Sequence, residues 1–314
     1  MFRWTVLALL VIPLSAQSTG ANEQLARAAK NPYDLARFVD SHPRFDWEVL
    51  WKAFAIKPLL YQPCGGLSDG GKQCSTELIN VLDPDQVILV IQDDSTHIDI
   101  YLRFIQERDG NWRSAGVHQT FIRNHPRRHE VDRSAGKPFL RISAQGISGS
   151  GVDSEIEDWL DLTQPGFEPV FSFTVQGHQQ PVGYRIGRRI FGYATAEKDA
   201  IDVVLEAHFE GGGSVLAVKH YSAVYTRAAG AKEFSFQTAY DGMDRKTKIS
   251  LAEFDALADV DEGPSNEALI RYAISGLKEI ATGRDSDAKT WLNQSLTLVK
   301  DTPEVRELKA LMRR

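Results

Sequence analysis

Over residues 86–240 apolar and polar positions alternate in short runs broken by glycine-rich turns, and this period of two predicts a succession of antiparallel strands. Ile98, Ile100, Leu102 and Phe104 fall on one face, with Asp99, Tyr101 and Arg103 on the other. Asp109-Gly110 turns the chain and Trp112, Ala115, Val117 and Phe121 return, so residues 96–122 read as a β-hairpin. A second hairpin echoes it, with Ile201, Val203, Leu205, Ala207 and Phe209 alternating before the Gly211-Gly212-Gly213 turn and a return over residues 215–226. Matching positions such as Ile98-Asp99 with Ile201-Asp202, and Gly110 with Gly213, fit either a duplication or the needs of any hairpin. Residues 87–91, 139–143, 167–176 and 182–194 supply further strands.

The period changes on both flanks. Residues 22–42 read as two short helices, the second entered at Asn31-Pro32, and residues 45–56 carry Trp47, Leu50, Trp51 and Phe54 at helical spacing, a stripe expected to face a core. After Ser250 come a short helix at 251–257, an acidic loop at 259–264 and a helix capped by Ser265, which carries Leu269, Tyr272, Leu277 and Ile280 and ends at Gly283. Trp291, Leu292 and Leu296 mark another helix, and Thr302-Pro303 opens a last one. The helix pair over residues 269–303 resembles one tetratricopeptide unit, but it lacks that family's glycine and tyrosine positions and has no tandem copy. The expected fold class is α+β. A central antiparallel β domain, sandwich or partly open barrel, carries short N-terminal helices and a C-terminal helical hairpin. The boundaries are a leader at 1–18, a helical segment with a disulfide loop at 22–85, the β domain at 86–240 and the helical extension at 250–314.

A net charge of −6 gives no concentrated positive surface, which argues against nucleic acid as the partner and leaves an unidentified protein or small molecule. Arg3, the apolar run at 5–14 and the small residues Ser15-Ala16-Gln17-Ser18 have the form of a Sec-type signal peptide, so a secreted or periplasmic location is expected. No cysteine stands at the cleavage point to take a lipid anchor, and no apolar run reaches the roughly 20 residues needed to span a bilayer. In that compartment Cys64 and Cys74 are expected to pair, closing a glycine-rich loop worth about 3 kcal/mol on the chain-entropy account.

Three clusters offer chemistry. His118, His125, His129, Glu130 and Asp132 are donors suited to zinc, but they lack the His-Glu-x-x-His spacing, and Arg123, Arg127 and Arg128 would repel a cation. Asp153, Glu155, Glu157 and Asp161 share a face if their segment is extended, with neighbours roughly 6 to 7 Å apart. That suits calcium or an inverting glycosidase's acid and base, and it equally describes the wet face of a half-buried strand. Tyr184, Arg185, Arg188, Arg189, Phe191 and Tyr193 mix basic and aromatic side chains that suit a sugar or an anionic ligand. The glycine-rich segment 146–151 satisfies neither the nucleophile-elbow nor the dinucleotide pattern and reads as a turn.

With each catalytic motif incomplete, the sequence favours an exported, non-enzymatic ligand- or partner-binding β domain of the cell envelope with no cofactor. The alternative is a secreted hydrolase acting through the histidines or the paired carboxylates. N-terminal sequencing of the exported protein is expected to find a start just after Ala16; a secreted chain that still begins at Met1 would refute the leader.

Overall fold

Alternation becomes pairing in the computed structural model, which describes residues 14–42, 47–55, 74–81, 85–93, 97–122, 126–180, 185–259 and 265–313. The chain separates into two compact units, Met1–Arg123 with Gly166–Glu168, and Asn124–Pro165 with Pro169–Arg314. The strands expected over 86–240 are therefore divided between two antiparallel sheets.

The first unit joins helices α1 (Leu14–Ala28), α2 (Pro32–Ser41) and α3 (Trp47–Phe54) to a sheet of β1 (Cys74–Asn80), β2 (Gln86–Asp93), β3 (Ile98–Gln106) and β4 (Trp112–Phe121), in that order. Asn31 caps α2 as its position suggests, accepting the N–H of Tyr33 at 2.9 Å and of Asp34 at 3.2 Å. Leu35, Phe38, Leu50 and Trp51 bury against Leu89, Ile100, Leu102 and Phe104. Each large side chain so buried contributes about 1.5–3 kcal/mol. The expected hairpin is β3–β4, with Leu102 opposite Val117 and Gly110 at φ +84 in the turn. β1 lies in a stretch expected to hold only helices and loop. Its mixed pattern carries no strict alternation, and its seven-residue ladder with β2 decides the matter.

The second unit is a nine-stranded meander. Its strands are β5 (His129–Asp132), β6 (Phe139–Gly149), β7 (Val152–Asp161), β8 (Pro169–Gln179), β9 (Gly187–Glu197), β10 (Ala200–Gly211), β11 (Ser214–Thr226), β12 (Ser235–Asp241) and β13 (Thr247–Ile249), hydrogen-bonded in chain order. β10 and β11 are the second expected hairpin. The sheet does not stay flat. Phe171 on β8 and Tyr225 on β11 are three strands apart, about 14 Å in a flat sheet, yet their ring centroids lie 5.0 Å from each other.

The fold-over happens where β8 leaves β9. Those strands pair only from Gln176–Gln179 to Arg188–Phe191. The β7–β8 ladder skips Val175 at the same level, and the Thr174 carbonyl turns toward Gly192, where a Cβ would meet it at 1.9 Å. Beyond that point β8 crosses to the far side, and the Val170 carbonyl accepts the N–H of Phe234 at 3.0 Å. Two leaves result, β5–β8 and β9–β13, facing each other over Trp159, Phe171, Phe173, Tyr225, Phe234 and Phe236. A buried ion pair joins them, with Arg227 Nη1 2.7 Å from Asp161 Oδ2 and the guanidinium over the Phe234 ring.

Five helices complete this unit: α4 (Leu251–Ala258), α5 (Asn266–Tyr272), α6 (Ile274–Thr282), α7 (Ser286–Leu296) and α8 (Pro303–Met312). Ser250 and Glu253 form a capping box on α4, while Ser265 and Thr302 cap α5 and α8. Leu269, Leu277, Leu292, Val305 and Leu308 extend the sheet's core, and Tyr272 stacks on Phe209. The architecture is α+β with an antiparallel β domain and C-terminal helices, as the pattern predicted. No helix among the described residues is long and apolar enough to cross a membrane.

Arg227→Met would leave the Asp161 carboxylate buried without its cation, and urea unfolding is expected to show a loss of about 3–5 kcal/mol. A loss under about 1 kcal/mol, the value of an exposed pair, would mean that the ion pair does not hold the leaves together.

Candidate functional site

Between the two leaves, where aromatic packing ends, lies a cavity of about 650 Å³. That volume is within the range of small-molecule sites. Ile156, Phe173 and Thr174 form one wall, Val203, Leu205 and Tyr225 the opposite one, and the Gly146-Ile147 end of β6 a third. Helix α4 closes the remaining side with Phe254, Asp255, Ala258 and Asp259. The strands place these side chains by alternation: Val203 and Leu205 are inward positions of β10, whose burial alternates residue by residue.

Ser154, Ser172, Thr174, Asp255 and Asp259 bring polar groups to the lining, and some are already engaged. Ser172 Oγ donates to Asp158 Oδ1 at 2.5 Å, and Ser154 Oγ accepts the N–H of Ile147 at 3.0 Å. Asp255 stands at the mouth, one turn before Asp259 on α4. Burial holds its carboxyl above the ordinary carboxylate range, and the charge of Asp259 raises it further. Burial likewise pushes the Tyr225 hydroxyl up to about 12, with Asp255 adding to the shift.

α4 is held over the cavity by Arg188. Its guanidinium donates to the carbonyls of Ala256 at 2.8 Å, Leu257 at 2.9 Å and Asp259 at 2.6 Å. These oxygens lie in the last turn and C-cap of α4, where helix carbonyls lack intrahelical partners. This corrects the expectation of a binding arginine. Arg188 is 0% exposed, because on β9 it points into the core with Ile190 while Arg189, Phe191 and Tyr193 point out. Burial lowers its pKa to about 10, which leaves it charged at neutral pH.

The other sequence candidates are dispersed. Arg185 and Tyr193 are exposed, Arg189 reaches Glu210 at 3.5 Å, and Tyr184 lies outside the described residues. His118 sits on β4 in the first unit and His129 and Glu130 on β5 in the second, while His125 lies outside the described residues. Among the described residues no group of three or more His, Cys, Asp or Glu is placed to hold a metal. Glu130, Asp132 and Glu157 instead surround Arg141 at 3.0, 3.3 and 2.8 Å, and Asp161 pairs with Arg227. Asp153 accepts from Gln145 at 3.1 Å, and Glu155 is buried. The acidic face of β7 is thus bound into the sheet. The glycine-rich segment is the β6–β7 turn, with Gly149, Ser150 and Gly151 all at positive φ. Cys74 opens β1, buried in the first unit's core; Cys64 lies outside the described residues.

A second polar cluster, on the outer face of β10 and β11, escaped the sequence analysis. Glu206 meets His208 Nε2 at 2.5 Å and His220 Nε2 at 3.0 Å, bonds that hold its carboxyl below the ordinary range. Their sequence signal is parity: Glu206 and His208 are two residues apart on one strand, and His220 is the cross-strand partner of Glu206.

Above the ordinary phenol value of 10.0 the unfolded chain releases the Tyr225 proton while the folded chain keeps it, so stability falls as pH rises from about 10 toward about 12. Tyr225→Phe is expected to flatten this decline in alkaline urea unfolding; equal slopes in the two proteins would show that the hydroxyl is not shielded. Comparison with protein-family models, with curated proteins and with solved structures gives no match.

Proposed function

We propose that the chain is an exported, non-enzymatic binding protein of the cell envelope that takes a small, mainly apolar ligand between the leaves of its nine-stranded sheet. The observation that carries this reading is the cavity of about 650 Å³ walled by Phe173, Leu205, Tyr225 and Phe254. A space of this size lined by apolar and aromatic side chains, with a few polar groups at its rim, is the usual form of a ligand site. Export is supported by the leader-like first residues and by the position of the first buried contact of α1. Among its described side chains the first one buried is Leu25, well past Ala16, so cleavage there would remove none of the described core. A Cys64–Cys74 disulfide is part of the same proposal. It is supported by the absence of a free cysteine among the described residues and by the chain's having no other cysteines.

The hydrolase alternative finds less support, since Glu157 and Asp161 are each engaged in an ion pair, with Arg141 at 2.8 Å and Arg227 at 2.7 Å. Titration with a neutral naphthylamine dye is expected to give saturable fluorescence enhancement at one site per chain. Leu205→Trp, which fills the cavity from the β10 wall, is expected to weaken that binding at least tenfold while the chain still melts cooperatively. Unsaturable enhancement, or equal binding by a folded Leu205→Trp protein, would reject the cavity as the site.

A further inference from the structure

The cavity's charged groups are all of one sign. Its lining includes no lysine, arginine or histidine, yet two carboxylates, Asp255 and Asp259, lie on its α4 side. The nearby cation Arg188 directs its donors to backbone carbonyls behind α4, and its charge is felt by Asp259. Asp255 has no such counterpart: its carboxylate makes no hydrogen bond or ion pair among the described residues and is repelled by Asp259. Two further features of the same cavity fit a cation with an apolar body. The rings of Phe173, Tyr225 and Phe254 line the space beside the carboxylate, and ring faces attract cations by about 0.5–2 kcal/mol as desolvation increases. Tyr225 is close enough to Asp255 for that carboxylate's charge to act on its hydroxyl.

We infer that the ligand is an organic cation, an aromatic or aliphatic body bearing a protonated amine, whose ammonium sits against Asp255 while its body lies among Phe173, Tyr225 and Phe254. This rests on the cavity being the binding site. The ammonium would relieve the repulsion between Asp255 and Asp259, and an anionic ligand of the same shape would increase it. The outer-face histidines play no part in it.

The test is a calorimetric titration of the whole chain with three probes sharing one ring system: tryptamine, tryptophol and indolepropionate. Tryptamine is expected to bind about tenfold more tightly than tryptophol, a ratio within reach of a partly desolvated charge and aromatic pair, and indolepropionate more weakly than either. Asp255→Asn keeps the side chain's size and is expected to bring the ratio of tryptamine to tryptophol close to one, with the melting temperature as the check that α4 remains folded. Added salt should shrink the ratio in the unaltered chain, which tests the charge without any substitution. Equal binding of tryptamine and tryptophol by the unaltered chain, or an unchanged ratio in a folded Asp255→Asn protein, would overturn the inference. If the neutral dye binds and none of the indoles does, the cation class is wrong while the cavity stands; if the dye fails too, both fall.

Discussion

Arg188 is a cation taken wholly out of water, and removing it from solvent costs several kcal/mol unless the surroundings return the lost interactions. They do so through the end of a helix. The last turn of α4 presents carbonyls with no intrahelical partner and the negative end of the helix dipole, and Arg188 takes the oxygens of Ala256, Leu257 and Asp259. The dependence is mutual. α4 carries Asp255 in its last turn and Asp259 at its C-cap, both adverse to its own dipole, so the helix end needs a cation as much as the cation needs the helix. Because Arg188 is the second residue of β9 and α4 walls the cavity, this one contact couples the sheet to the site.

The second buried charge works at the opposite edge of the leaves. Arg227 follows β11 and Asp161 ends β7, and neither has water to fall back on, since their side chains are 4% and 0% exposed. Asp161 also accepts the N–H and hydroxyl of Thr163 at 2.8 and 2.6 Å, so its lone pairs are well supplied. A buried pair of this kind adds little net stability over an apolar substitute but makes the wrong arrangement costly, which suits a contact that must fix how two leaves meet.

Much of the fold was legible because alternation, turns and caps are local signals. The hairpins β3–β4 and β10–β11, the cap residues Asn31 and Ser265 and the stop at Gly283 all follow from residues within a few positions of each other. The site was not legible for three physical reasons. Arg188 and Arg189 were grouped as neighbours in sequence, although adjacent strand residues face opposite sides and one of the two had to enter the core. Asp255 and Asp259 were divided between an expected helix and an expected loop, whereas α4 continues to Ala258 and places both carboxylates on the cavity side. Tyr225 and Phe173 meet there only because the sheet folds over, a long-range event that no local pattern announces.

That fold-over also explains why the cavity lies where it does. A continuous β8–β9 ladder would keep the strands about 4.8 Å apart and leave one open surface with no interior. The shifted register at Val175 and the missing Cβ of Gly192 end the ladder after four residue pairs. Past the break, Phe171 packs on Tyr225 and Phe234, and this cluster closes the gap at one end. Toward the break the side chains become smaller, with Ser154, Ser172, Thr174 and Val203, and cannot fill the space between the leaves. The volume left there is thus a consequence of side-chain size at a branch in the sheet, and α4, anchored by Arg188 from the β9 side of the same branch, encloses it.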